Sequence, residues 1–411
     1  MTKKIVVVGG GVGGVASSLM LADEIRSNRL DAEVLLVSKS EYHYMPPLWL
    51  DVAVDGLDVE KTRAPLRGVE YYGVKTLIDE VVSIDLAERE IATRSGRRIS
   101  YDYLLIALGT VNGWSEYPGL EEAGWHNYDP ESARAFNRAI KTFRGGRIVV
   151  LVPELPHRCG IYPLEITTLL AHYYKVKGVK VDIKYVAPRS MLGYHPLDIL
   201  GPDIGRLARE ILEGYGVEVI VHKGLERVDP EKRVVVTKDA EIEYDMLVKV
   251  PPPRLPPLLR SPDFQLGDDK RFTRIRTPHF QHPEYDEVYL TGEHSMKPAG
   301  LGLAGVFVHF ASIRAASMIL EDLGSVYSLY DYPPVHCVAY IGNGGLIGSC
   351  EVTYDEGKGH YRWNDRCYVT LRGPMVKILK RTFYMSWLGR LRFPHAPKPS
   401  LRELGVEAHG G

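Results

Sequence analysis

The stretch Gly9-Gly10-Gly11-Val12-Gly13-Gly14 constrains this chain more than any other. It follows the apolar run Ile5-Val6-Val7-Val8 and opens a helically spaced run, Val15-Ala16-Ser17-Ser18-Leu19-Met20-Leu21-Ala22. A second apolar run, Val34-Leu35-Leu36-Val37, ends at Ser38. Strand, glycine turn, helix and strand make a βαβ unit of the length that cradles a dinucleotide. Gly9, Gly11 and Gly14 satisfy G-x-G-x-x-G. Gly9 permits the tight turn, Gly11 lets a pyrophosphate approach the backbone, and Gly14 lets helix pack on strand. The acidic residue that usually ends the second strand and holds a ribose hydroxyl is replaced by Ser38-Lys39. A serine can still bond a ribose.

Composition removes several function classes. Lys+Arg 51 against Asp+Glu 52 gives a net charge of −1, so no basic excess exists to neutralise a nucleic-acid backbone. With 45% apolar and 25% charged residues the chain is globular, and 411 residues give room for about two or three domains. No run of apolar residues is long enough to span a bilayer as a helix. The N-terminal apolar run breaks at once into glycines with no small-residue cleavage site behind it, so it is expected to be a first strand and no signal peptide. A cytoplasmic location is the default. Four cysteines, Cys159, Cys337, Cys350 and Cys367, are too few for a disulfide scaffold, and their spacings match no zinc pattern. No metal is expected. If these cysteines do chemistry, they must meet in space.

Two further segments point to FAD. Tyr103-Leu104-Leu105-Ile106-Ala107-Leu108-Gly109 is a strand ending in a small-residue turn, and Val288-Tyr289-Leu290-Thr291-Gly292-Glu293 is a strand ending in glycine plus a carboxylate. Both resemble the second and third FAD motifs of flavoproteins with two dinucleotide domains, where the last acidic residue, here Glu293, meets the ribityl chain. A second nucleotide-like domain is expected in the middle, starting at Arg147-Ile148-Val149-Val150-Leu151-Val152. A pyridine-nucleotide site needs a glycine turn there. Instead Pro153, Pro156 and Pro163 remove N–H donors and Glu154 repels phosphate, so this domain is expected not to bind NADH. Cys159 sits where the nicotinamide cofactor would have docked.

In the tail, Met375, Leu379, Phe383, Trp387 and Leu391 recur every four residues, with Lys377, Lys380, Arg381, Arg390 and Arg392 interleaved. Such a stripe is broad and wraps its helix. An apolar, aromatic face rimmed with cations suits a membrane interface; the competing reading is a helix docked on its own core.

Taken together these residues resemble the sulfide:quinone oxidoreductase family, relatives of type II NADH dehydrogenases and flavocytochrome c sulfide dehydrogenases. The likeness runs through the FAD fingerprint, Tyr44-Met45-Pro46-Pro47, Cys159 with Tyr162-Pro163-Leu164-Glu165, Asp245 to Pro252, Gly292-Glu293, Lys297, Cys337 to Gly342 and the basic-aromatic tail. It implies an α/β fold of two Rossmann-like dinucleotide-binding domains plus a C-terminal membrane-associating region. Residues 1–115 and 275–325 would form the FAD domain, 116–274 the degenerate second domain, and 326–411 the tail with Cys337.

The resemblance also implies roles. A Cys159–Cys337 disulfide would accept sulfide as nucleophile, Cys337 being nearer the flavin and Cys159 more accessible. Glu165 and His195 would be proton acceptors. Gly9, Gly11, Gly14, Ser38, Lys39, Val81, Gly109, Gly292, Glu293 and Lys297 would hold FAD, with Lys297 placing positive charge near the reduced flavin or the quinone. Pro46, Gly300, Phe383, Tyr384 and Trp387 would meet quinone. The expected protein lies peripherally on the cell membrane with sulfide, membrane quinone and surface lipids as partners, no nucleic acid, and a homo-oligomer as one option.

There are departures from the family. A third cysteine common in it is replaced by Tyr128, and no cysteine lies near Tyr42-His43, so FAD is expected to be non-covalent. Cys350 and Cys367 can form a structural disulfide or remain thiols. Rival functions are an NADH:quinone oxidoreductase, a sulfide dehydrogenase with a cytochrome acceptor, and a non-catalytic flavin and disulfide redox sensor.

Overall fold

A computed structural model describes residues 1–189, 196–267, 269–325, 335–363 and 367–393. Its first sheet is parallel, with strand order Val288–Leu290, Tyr103–Ile106, Lys3–Val8, Ala32–Ser38 and Lys75–Ile78. Val8 pairs with both Val37 and Ile106, so the carboxyl ends of the central strands coincide. The strands are runs of branched apolar residues because both faces are covered. Ile5 and Val7 face a core shared with the helices Val12–Asn28 and Gly305–Asp322. Val6 and Val8 face the opposite side, where Val81, Leu86 and Ile91 of an antiparallel meander close over them.

The second sheet is also parallel, with order Glu218–His222, Val181–Pro188, Gly146–Leu151 and Met246–Lys249. The helices Tyr162–Lys177 and Pro202–Gly214 cover one face; Leu120, Val228, Val235 and Ile242 cover the other. A third, antiparallel sheet joins Val335–Ile341, Gly344–Cys350 and Cys367–Gly373. Its first strand packs on the helix Tyr162–Lys177, which brings Cys337 to the side of the molecule that carries Cys159. Cys350 and Cys367 face each other across neighbouring strands and form a disulfide.

The last described helix, Pro374–Arg392, divides the expected apolar stripe between two environments. Val376, Leu388 and Leu391 are buried, and Leu388 and Leu391 belong to the core of the first domain. Met375, Ile378, Leu379 and Phe383 are exposed. Steps of four residues advance 400°, about 40° past a full turn, so a stripe beginning outside ends inside within four steps. Core docking and an outward apolar face are therefore both present on one helix. No helix among the described residues is long and apolar enough to cross a membrane.

Candidate active site

The glycine loop sits at the carboxyl edge of the first sheet. Gly9 has φ +117°, and a Cβ there would lie 2.7 Å from the Ala107 carbonyl oxygen. A Cβ on Gly14 would fall 1.8 Å from the Gly9 oxygen, so helix and loop touch through bare backbone. Beside Gly11 there is open space, and Gly11 caps a 17-residue helix with neither a side-chain cap nor an acidic first turn. Free N–H groups facing open space at a long helix's N-terminus fit the pyrophosphate of a dinucleotide. Ser38 is buried against this loop, its hydroxyl paired with Ser40 in a local turn, while Lys39 is exposed. Gly109, Gly292 and Glu293 follow the neighbouring strand ends, the position where open α/β sheets bind ligands. The residues present therefore fit FAD.

The equivalent edge of the second sheet is filled by protein. Arg254 reaches Glu116 through Nε (2.6 Å) and Glu154 through Nη1 (2.6 Å), while Tyr117 donates to Glu154 at 2.9 Å. This ionic cluster lies on the turn that would have to be glycine for a nicotinamide cofactor to dock.

Cys159 lies between the two domains, in the left-handed region at φ +55°. Its N–H donates to the Leu303 carbonyl at 2.5 Å, and its carbonyl accepts from Tyr162 N–H at 2.8 Å as the next helix begins. Cys337 is the other free thiol, and the two lie within electrostatic reach of each other. Burial pushes Cys159 up to about 12, with the Glu165 charge adding to the rise and the Lys380 ammonium opposing it. Burial pushes Cys337 to about 11, again opposed by Lys380.

Glu165 is buried on the first turn of its helix. It accepts the backbone N–H of Tyr340 at 2.7 Å and forms an ion pair with Lys380, whose side chain is only 4% exposed. Burial raises the Glu165 carboxyl above its usual range, with the Lys380 charge pulling it back. The Lys380 ammonium also lies 4.2 Å from the Tyr340 ring centroid. Beyond it, the Tyr340 hydroxyl donates to buried Asp51 at 2.9 Å, and Arg381 Nε reaches Asp51 at 2.9 Å. Two buried carboxylates each face one cation of the tail helix.

The predicted residues fall into three groups. Cys159, Cys337 and Glu165 are brought together, with Tyr384 half-buried beside Lys380 and the thiols. The glycines, Ser38 and Glu293 line one sheet edge; Val81 lies in the core under it, and Lys297 ends the short helix that Glu293 begins. The remainder are scattered. Pro46 is exposed at the start of a short 3-10 turn, Phe383 is 63% exposed, and Gly300 meets the Tyr361 carbonyl in a tight turn. His195 lies outside the described residues. Trp387 turns inward: its indole N–H donates to His43 Nε2 at 3.1 Å, so His43 Nδ1 carries the proton given to the Gly10 carbonyl at 2.9 Å.

Sequence reasoning missed Lys380, Arg158 and His43. Lys380 looked like one more cation of a basic rim. Its one available signal was its place on the inner face, four residues after buried Val376 and before half-buried Tyr384. Among the described residues no three His, Cys, Asp or Glu side chains group so as to hold a metal ion.

Comparison with known proteins places this geometry. The chain is 25% identical over 332 residues to the mitochondrial sulfide:quinone oxidoreductase of Dictyostelium discoideum, covering 78% of this chain and 71% of that protein. It is 27% identical over 318 residues to the mouse mitochondrial sulfide:quinone oxidoreductase, covering 74% and 68%. The fold matches the crystal structure of the sulfide:quinone oxidoreductase from Aquifex aeolicus with a TM-score of 0.81 at 20% identity, over 98% of this chain and 95% of that one. Residues 3–250 match the family described as pyridine nucleotide-disulphide oxidoreductase. With two parallel nucleotide-type sheets and a cysteine at their junction, the chain belongs to that family.

Proposed function

We propose that this chain is an FAD-dependent sulfide:quinone oxidoreductase, taking sulfide to sulfur or polysulfide and passing two electrons to membrane quinone. The observation that carries it is the pair of half-buried thiols, Cys159 and Cys337, beside the buried Glu165–Lys380 ion pair in a chain similar to enzymes of that name. Bound non-covalently, FAD supplies a two-electron carrier between the cysteines and the acceptor. In the oxidised Cys159–Cys337 disulfide, sulfide attack breaks the S–S bond, leaving a persulfide on one sulfur and a thiolate on the other. Lys380 is the leading charge acting on Cys337, whereas the Glu165 carboxylate leads at Cys159, so the leaving thiolate is better held on Cys337 and attack falls at Cys159. Lys380 stabilises that thiolate, and Glu165 accepts the proton that sulfide gives up.

The acceptor side is supported by the tail. Exposed Phe383 packs edge-on against half-buried Tyr384 at 5.4 Å, and Tyr384 lies beside Lys380. An apolar face of Met375, Ile378, Leu379 and Phe383 with a cationic rim suits the headgroup region of a bilayer, so the protein docks on a membrane surface by this helix. Pro46, Phe383, Tyr384 and Gly300 are the candidate quinone contacts; Trp387 supports the glycine loop through His43 instead. The ionic cluster around Glu154 disfavours the NADH-oxidising alternative. The test is stopped-flow spectroscopy. Micromolar sulfide should bleach the flavin and a quinone should restore it, whereas reduction by NADH at a comparable rate overturns the assignment.

A further inference from the structure

Arg158 precedes Cys159 in the second domain, yet its whole guanidinium is bound to the first. Nε donates to Glu293 Oε2 at 2.9 Å, Nη1 to Asn112 Oδ1 at 2.8 Å, and Nη2 to the Thr110 carbonyl at 3.0 Å. Thr110 and Asn112 follow one strand of the nucleotide-binding sheet and Glu293 follows the next, all at its carboxyl edge. The backbone of Arg158 is held as well, its carbonyl accepting from the Tyr128 hydroxyl at 3.4 Å. One residue later the chain turns left-handed. A non-glycine residue at φ +55° is strained and persists only where its surroundings fix it. Arg158 on one side and the Leu303 carbonyl on the other supply that restraint.

Glu293 is the shared element. Its Oε2 receives both Arg158 and the Thr110 hydroxyl (2.7 Å), and it follows the strand two places from the glycine-loop strand at the same carboxyl edge, within the span of a dinucleotide bound there. We infer that Arg158 is a positioning residue that couples occupancy of the nucleotide cradle to the conformation and reactivity of Cys159. A ligand hydroxyl bonding Glu293 shifts the carboxylate, the planar fork follows, and the backbone at 158–159 follows the fork. The coupling is reciprocal: the state of the cysteine loop alters the affinity of the cradle by the same factor. This rests on the FAD reading of the cradle.

The test uses the full chain with Cys337→Ser, in which Cys159 is the one free thiol beside the Cys350–Cys367 disulfide. The rate of Cys159 modification by methyl methanethiosulfonate is followed by mass spectrometry on the protein stripped of flavin and then reloaded with FAD. Flavin absorbance after gel filtration confirms loading first, so failure of the cradle itself shows there, and that outcome withdraws both readings. Reloading is expected to change the rate about tenfold, and adding Arg158→Gln should reduce that change to within about twofold. Arg158→Lys keeps the charge without the fork and should also lose the coupling. If Arg158→Gln gives no cooperative melt, the lysine variant decides alone. An equal FAD-dependent change with and without Arg158 means that the cofactor merely covers the thiol, and overturns the proposal.

Discussion

At the scale of single residues, the centre combines nucleophiles that burial makes reluctant with a buried lysine that relieves them and whose carboxylate partner opposes it. Cys159→Ser or Cys337→Ser should abolish sulfide-driven quinone reduction while FAD stays bound, and Cys350→Ser should not; steady-state turnover with flavin absorbance checks this. Retained turnover in either of the first two variants removes the disulfide from the mechanism. Lys380 carries a second prediction. Replacing it with Met leaves Glu165 buried without its cation, which should lower the unfolding free energy by about 3–5 kcal/mol in denaturant titrations. Lys380→Met with Glu165→Leu should lose less than Lys380→Met alone, because no unpaired charge then remains. A double variant at least as unstable as the lysine variant shows that packing, not charge, is what Lys380 contributes.

At the scale of elements, the tail helix has two faces with separable jobs. Its inner face is structural: Leu388 and Leu391 fill the first domain's core, and Lys380 and Arg381 pair with buried Glu165 and Asp51. Deleting the helix should unfold the site; a buried leucine alone is worth about 2–5 kcal/mol. The outer face can be tested without touching the inner one. Leu379→Glu with Phe383→Glu should leave the melting temperature and flavin content unchanged while abolishing sedimentation with anionic vesicles. Vesicle binding that survives both charges places the membrane contact elsewhere. The disulfide of the third sheet is a separate element: its 17-residue separation predicts a loss of about 3 kcal/mol when Cys367→Ser opens it, read as a lower denaturant midpoint.

At the scale of the whole molecule, the parts legible in sequence were those written locally. The strand–glycine–helix run specifies its own turn, because Gly9 and Gly14 leave room for no side chain. The prolines and Glu154 of the second turn likewise announce a degenerate site, and the structure shows Arg254 closing it. What stayed illegible was created by long-range pairing. Lys380 meets Glu165 across 215 positions, Arg158 meets Glu293 across 135, and Trp387 meets His43 across 344. Local periodicity carries no trace of such contacts. A global consequence follows from the buried histidines. His157 and His294 are enclosed, and burial lowers them to about 4 and about 3. In the unfolded chain both take up protons near the ordinary value of about 6.5, which the folded chain does not do until the lower values are reached. Between those limits the unfolded state binds more protons, so stability rises with pH. The contribution of these two residues is complete above about pH 6.5 and is lost progressively as pH falls toward about 4. The denaturant midpoint should therefore drop between pH 7 and pH 4.5, and His157→Gln should flatten part of that drop. A midpoint independent of pH over this interval means that the two histidines take up protons as readily in the folded protein as in the unfolded chain.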